Sequence, residues 1–186
     1  MTIRAFISVD LAREQRIEDF AAELKNADPT LKVVDPGQIH VTLKFLGDTD
    51  EKLVSRLAEA MRDAAQGVGP FTIRFKGASS FPGRSRIRVI WVGMNDALPM
   101  ATMAGRLDES LTELGFSREA RAFAPHLTVA RAKVETSNAT LRQIIENHAE
   151  DDFGEQRVDR IQLKKSVLTR CGPQYTTLEE IVLNSP

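Results

Sequence analysis

The sequence predicts an α+β fold of two pseudo-symmetric lobes, each an antiparallel sheet with outer helices, around a central cleft. Three observations carry that expectation. Two near-identical strings, His-Val-Thr-Leu-Lys at 40–44 and His-Leu-Thr-Val-Ala at 126–130, stand about half a chain apart. Strand and helix patterns follow as β, α, β, β, α, β, β, α, β, α, β, β, with similar content in each half. No linker rich in proline, glycine or serine divides the 186 residues, so 1–186 is read as a single domain with an internal two-lobe duplication.

Each element has its own signal. Residues 3–9 are mostly apolar and make a first strand. Ile17, Phe20, Ala21 and Leu24 are spaced by three and four, which predicts a helix over about 13–27 that Asp28-Pro29 stops. Leu31 to Val34 is a short strand, Asp35-Pro36-Gly37 a turn, and 39–46 the first motif strand. Asp50 suits the N-cap of a second helix whose stripe is Leu53, Val54, Leu57, Ala60, Met61 and Ala64, ended by Gly67, Gly69 and Pro70. Phe71 to Phe75 alternates as a strand, 77–84 carries turn residues, and 87–92 is a strong strand. A third helix spans 98–114 and stops at Gly115. A connection over 116–125 leads through Pro125 into the second motif strand, 126–130. A fourth helix covers roughly 137–150, and strands near 157–168 and 177–183 close the chain around Thr-Arg-Cys-Gly-Pro-Gln-Tyr.

Composition narrows the function. A hydrophobic fraction of 42% with 27% charged residues is ordinary for a globular protein. No apolar run approaches the roughly eighteen residues a membrane helix needs, and the N-terminus reads as a strand and not as a signal peptide, so the expected location is cytoplasmic with no membrane partner. The single Cys171 allows no internal disulfide, and one cysteine with three histidines does not favour structural zinc. A net charge of −1 argues against a non-specific nucleic-acid coat, but the acid-free stretch from Ala64 to Asn95 holds Arg74, Lys76, Arg84, Arg86 and Arg88, either a local basic patch or an ordinary solvated strand.

The two motifs carry the chemistry. In a strand, His40 and Thr42 share one face while Val41 and Leu43 take the other, and His126 and Thr128 repeat that split. Two imidazoles across a cleft suit a reaction in which one takes a proton and the other gives one, because the unperturbed pKa lies near 6.5. Threonine hydroxyls can donate to charge on non-bridging oxygens, a set of parts that phosphodiester cleavage needs. A metal site is the competing use, but neither motif strand supplies a nearby acid. Lys44 shares the parity of His40 and Thr42 and is placed at phosphate or at the cleft rim. His148 reads as a solvated histidine near a helix end, Trp91 as core, and Tyr175 as a loop residue able to stack on a base.

Both His-x-Thr motifs, together with His-Val-Thr-Leu-Lys-Phe-Leu-Gly at 40–47, Phe-Pro-Gly-Arg at 81–84, Trp91-Val92-Gly93, Leu114-Gly115-Phe116, Pro-His-Leu-Thr-Val-Ala-Arg at 125–131 and Gly-Pro-Gln-Tyr at 172–175, make the chain resemble the two-histidine (2H, LigT-like) phosphoesterases. Within them it resembles the RNA 2′,3′-cyclic phosphodiesterases, also called 2′-5′ RNA ligases. That resemblance implies antiparallel sheets lining a concave groove, hydrolysis of RNA 2′,3′-cyclic phosphate ends to 2′-phosphates without metal or other cofactor, and RNA, tRNA-like or other, or a nucleotide as the partner. Reverse joining to a 2′-5′ bond is a further expectation, and the protein is expected to be a monomer.

By the same resemblance one histidine is the base and the other the acid, and Thr42, Thr128 and Arg131 bind phosphate; the symmetry of the two motifs does not settle the order, and His126 is taken as the base and His40 as the acid. Strict alternation turns Arg131 away from the histidine face, so it reaches the site only if its strand ends or bulges. Phe45, at the same offset in the first motif, is either core or a base contact. The other readings held open are a module that binds RNA ends or a nucleotide without turnover, and a phosphodiesterase acting on a small cyclic nucleotide or a 2′-5′ oligonucleotide.

Overall fold

Nine strands and four α-helices follow one another in the computed structural model, which describes residues 1–83, 85–170 and 172–184. The strands are β1 (Thr2–Asp10), β2 (Lys32–Val33), β3 (His40–Asp50), β4 (Phe71–Gly83), β5 (Arg86–Asn95), β6 (His126–Thr136), β7 (Asp152–Val158), β8 (Arg160–Thr169) and β9 (Gly172–Val182). The helices are α1 (Gln15–Ala27), α2 (Val54–Ala65), α3 (Leu98–Ser110) and α4 (Ala139–Asn147). Arg84 and Cys171 lie outside the described residues.

Two antiparallel sheets result, as the pattern predicted. One runs β3-β1-β8-β9 and the other β2-β6-β5-β4-β7. Apart from the extra edge strand β2, the orders superpose: a motif strand (β3 or β6), the strand beside it (β1 or β5), then two more. The sheets are not contiguous halves of the chain, because the C-terminal β8 and β9 complete the sheet begun by β1 and β3. The helices cross over reciprocally. α1 follows β1 yet packs with α4 against the five-stranded sheet, and α3 follows β5 yet packs with α2 against the four-stranded one.

The helices bury apolar stripes, as the spacing predicted for α1 and, at Leu57, Met61 and Ala64, for α2. Ile17, Phe20, Ala21 and Leu24 of α1 are buried, as are Leu57, Ala58, Met61 and Ala64 of α2 and Met100, Met103 and Leu107 of α3. Each large side chain removed completely from water contributes about 1.5–3 kcal/mol. The polar cap of α4 is Asn138, whose side chain accepts from the Thr140 and Leu141 N–H groups. Gln156 of β7 bridges the two sheets, accepting from the Ala12 N–H at 2.8 Å and donating to the Asp10 carbonyl at 3.4 Å.

Three predicted boundaries differ. The segment 77–84, expected as a turn, continues β4 through Gly83. Gly77 (φ +72°) makes a bulge there and donates to the Asp151 carbonyl, and a side chain would come within 2.6 Å of the Ala149 oxygen. The single strand expected over 157–168 breaks at Asp159, where the chain leaves one sheet for the other. The Asp159 carbonyl accepts from the Leu183 N–H and its carboxylate from Arg160. Gly172 to Tyr175, expected as a loop, is strand, so Tyr175 sits in the β8–β9 ladder opposite Ser166.

Candidate active site

The histidine strands repeat one another residue by residue. From the histidine onward, β3 and β6 show the same sequence of half-buried, buried and exposed positions over nine residues. Alternation breaks at the same place in both. Lys44 pairs with Ile7 and Thr42 with Ser8, leaving Leu43 as the extra residue; Ala130 pairs with Ile90 and Thr128 with Trp91, leaving Val129. These bulges reverse the parity of the residues that follow them directly. Phe45 and Arg131 come back to the face of the histidines and are exposed, while Lys44 and Ala130 turn inward.

That reversal corrects the expectation for Lys44. Its ammonium is buried on the helix side, 2.6 Å from Asp108 Oδ1 on α3, 2.6 Å from the Ser117 carbonyl and 3.7 Å from Glu119. It ties down the connection that leads into His126 and does not face the groove. Arg131 extends back over its strand, with Nη2 3.5 Å from Thr128 Oγ1.

Each imidazole is oriented in the same way. His40 Nδ1 lies 2.8 Å from the Gln38 carbonyl, and His126 Nδ1 lies 2.8 Å from the Ala124 carbonyl. A carbonyl only accepts, so Nδ1 carries the proton in both rings and donates it. Nε2 of each ring has no protein partner among the described residues. Aromatic rings flank both: Phe6 at 5.0 Å and Tyr175 at 5.1 Å beside His40, Phe81 at 5.4 Å and Trp91 at 6.0 Å beside His126. Tyr175 therefore meets His40 from a strand. Trp91, expected in the core, faces the groove opposite Thr128, because β5 buries Ile90 and Val92 and leaves Trp91 on the other side.

The surroundings of the two rings differ in charge. Burial holds His40 below its ordinary pKa, and the nearby Lys164 ammonium acts in the same direction, against the Gln38 carbonyl and Asp10. Lys164 is itself buried and paired with Asp10 at 2.6 Å. Both influences, burial and Lys164, favour the neutral imidazole of His40 in the free protein. Phe6, Asp10 and Lys164 belong to no motif quoted from the sequence, and Phe81 enters there only within Phe-Pro-Gly-Arg, with no role beside a histidine. β1 read as a short apolar run, and its second face of Arg4, Phe6, Ser8 and Asp10 shows only once the sheet is assembled. Arg131 and Tyr175, from opposite sheets, are close enough to interact electrostatically, which brings the two open faces to one groove.

The remaining expected features lie elsewhere. His148 is not a freely solvated side chain: it bridges Glu23 of α1 and Asp151, each at 2.7 Å, against Phe20. Three of the described cations in 74–88 have partners within the protein. Arg74 pairs with Glu155, Arg86 with Glu135, and Arg88 donates to the Lys133 carbonyl. Among the described residues no three His, Cys, Asp or Glu side chains gather where a metal ion would be held, and no helix is long and apolar enough to cross a membrane.

Comparison with known proteins agrees with this geometry. The family model described as LigT-like phosphoesterase matches twice, over residues 9–91 and 92–175, one match for each motif strand. A protein of Methanothermobacter thermautotrophicus named RNA 2′,3′-cyclic phosphodiesterase is 37% identical over 96% of this chain and 98% of its own length. One of the same name from Archaeoglobus fulgidus is 33% identical over 95% and 98%. Among solved structures, TT0787 of Thermus thermophilus superposes with a TM-score of 0.79 at 27% identity over 98% of this chain and 99% of that one. E. coli LigT complexed with 3′-AMP shares the fold, with a TM-score of 0.75 at 23% identity over 98% and 99%. With both halves matched in turn and close relatives aligned over nearly their whole length, the chain belongs to the LigT-like phosphoesterase family.

Proposed function

We propose that the protein hydrolyses the 2′,3′-cyclic phosphate at the end of an RNA to a 2′-phosphate. The observation that carries this reading is the pair of imidazoles held alike through Nδ1, each with Nε2 free, on bulged strands that also present Thr42, Thr128 and Arg131. The name borne by its relatives in Methanothermobacter thermautotrophicus and Archaeoglobus fulgidus supports the same substrate.

The chemistry needs one imidazole neutral and one protonated. The neutral ring takes a proton from water at Nε2 as the water oxygen bonds to phosphorus. The P–O3′ bond breaks and the protonated ring gives its Nε2 proton to O3′, leaving a 3′-hydroxyl and a 2′-phosphate. Thr42, Thr128 and the fork of Arg131 stabilise charge on the non-bridging oxygens, Arg131 with a geometry suited to phosphate. With a 5′-hydroxyl in place of water as the nucleophile, the same ring opening forms P–O5′, breaks P–O3′ and joins two ends through a 2′-5′ bond. Phe45, exposed on the histidine face, is placed to meet a base. The two family matches and the repeated sheet order support one domain built by internal duplication, and we read it as a cytoplasmic monomer.

The test is an oligoribonucleotide ending in a 2′,3′-cyclic phosphate, incubated with EDTA present and followed by phosphorus NMR. Conversion to a 2′-phosphate is expected, and His40→Ala and His126→Ala should each lower turnover about 10²–10⁴-fold with the fold intact. An unchanged substrate that still binds would instead mean recognition of RNA ends without turnover.

A further inference from the structure

β1 divides its side chains between two environments. Ile3, Ala5, Ile7 and Val9 enter the core, and Arg4, Phe6, Ser8 and Asp10 take the groove side. Register carries Arg4 across the sheet: it lies opposite Ser166 of β8, and Ser166 lies opposite Tyr175 of β9. These three form a row beside the one that holds Phe6 and Lys164, next to His40. Ser8 pairs with Thr42, so Arg4, four residues along, stands about 13 Å from the level of Thr42.

This row also carries an unpaired cation: among the described residues Arg4 has no carboxylate within ion-pair distance, although Asp48 is its neighbour in the β1–β3 ladder, and Arg131 touches only the Thr128 hydroxyl. Several cations on the same sheets are paired instead: Lys44 with Asp108, Lys164 with Asp10, Arg74 with Glu155, Arg86 with Glu135 and Arg160 with Glu180. Arg4 and Arg131 both act on the Tyr175 phenol, Arg4 from its own sheet and Arg131 from the other. Burial outweighs them and keeps that phenol protonated, so it remains a hydrogen-bond donor. Two guanidiniums that act on one phenol, neither within ion-pair distance of a carboxylate among the described residues, favour an anion bound beside it. The reacting phosphate accounts for Arg131. A mononucleotide cyclic phosphate supplies nothing for Arg4.

We propose that Arg4, Ser166 and Tyr175 form a second anion subsite, which holds the phosphodiester joining the terminal nucleotide to the rest of an RNA strand. The inference rests on the reading given under Proposed function and adds to it the grip on the chain behind the reacting end. Arg4 supplies a bidentate fork and the two hydroxyls donate to the remaining oxygens. Specificity for an RNA end over a free nucleotide then comes from this row.

The experiment compares kcat/KM for adenosine 2′,3′-cyclic phosphate with that for a trinucleotide ending in the same group, in the parent protein and in Arg4→Gln. The parent should prefer the trinucleotide, and Arg4→Gln should lower the preference about tenfold, the loss of one charge-assisted contact. Arg4→Lys should fall between, since it keeps charge without the fork. The slope of log KM for the trinucleotide against log salt should flatten by about 0.7, one phosphate contact on a single strand. A thermal melt would verify the fold of each variant. An equal preference in parent and Arg4→Gln, or none in the parent, overturns the subsite while turnover of both substrates leaves the proposed function standing. Failure of the folded parent to convert either substrate overturns both.

Discussion

The buried ammonium of Lys44 gives an asymmetric prediction. It contacts Asp108 and the Ser117 carbonyl at 2.6 Å and has Glu119 at 3.7 Å, and its side chain is only 1% exposed. Asp108→Ala strands that charge with one carbonyl and one more distant carboxylate. Breaking a buried pair costs about 3–5 kcal/mol, and the half-exposed Glu119 keeps the cost near the lower end. For a chain of this length about 3 kcal/mol lowers Tm by roughly 6–12 °C. Lys44→Met removes the charge but keeps an unbranched chain in the same space. Asp108, 25% exposed, still accepts the Glu119 N–H at 2.8 Å and is wetted by solvent, so the loss should be about 1 kcal/mol, or roughly 2–4 °C. The double variant should melt close to Lys44→Met alone, because the stranded charge is gone. Calorimetric or circular-dichroism melts of the three decide it. If Lys44→Met proves as damaging as Asp108→Ala, the stranded-ammonium argument is wrong.

Other outcomes follow from particular contacts. In Gly93→Ala the new methyl would meet the Lys76 carbonyl oxygen at 2.6 Å beside His126, so the variant should lose about 1–3 kcal/mol in a urea titration; an unchanged midpoint would show that β4 yields freely. His148 is raised above 6.5: burial works against this, but the bonds to Glu23 and Asp151 outweigh it. Its contribution to stability is therefore complete below 6.5 and lost as pH rises through the folded value, so Tm should fall from about pH 6 to about pH 9 more steeply than in His148→Gln. Parallel curves would refute this. Lys164→Met removes a cation that disfavours the charged His40 ring and leaves Asp10 unpaired, so the His40 ring titration followed by NMR should move upward; no movement would discard the electrostatic link.

What the sequence disclosed tracks how local the signal was. The stripe of α1, the Leu57, Met61 and Ala64 part of that of α2, and the parity of His40 with Thr42 depend on spacing alone, and they reappear in the structure. The position of Arg131 depended on a bulge, and nothing in Val129 or its neighbours marks one; the extra residue is defined only against the partner strand. The same non-local fact moved Lys44 from the groove to the core. Asp152 to Gln156 hid as a strand because Phe153 alone in it is buried. Trp91 was misplaced because a large indole in an apolar strand looks internal until the sheet acquires an open face.

The placement of β8 beside β1 has a consequence for synthesis of the chain. Arg4 finds its strand partner in Ser166, so the central pairing of the four-stranded sheet joins residues 162 positions apart in sequence. As the protein leaves the ribosome, the strand with the first histidine motif can pair with β1 early, but that two-stranded piece lacks half its sheet. α1 meanwhile waits for the five-stranded sheet on which it packs. Neither histidine face can be completed from the first half of the chain, and groove assembly becomes a late event governed by contacts far apart in sequence.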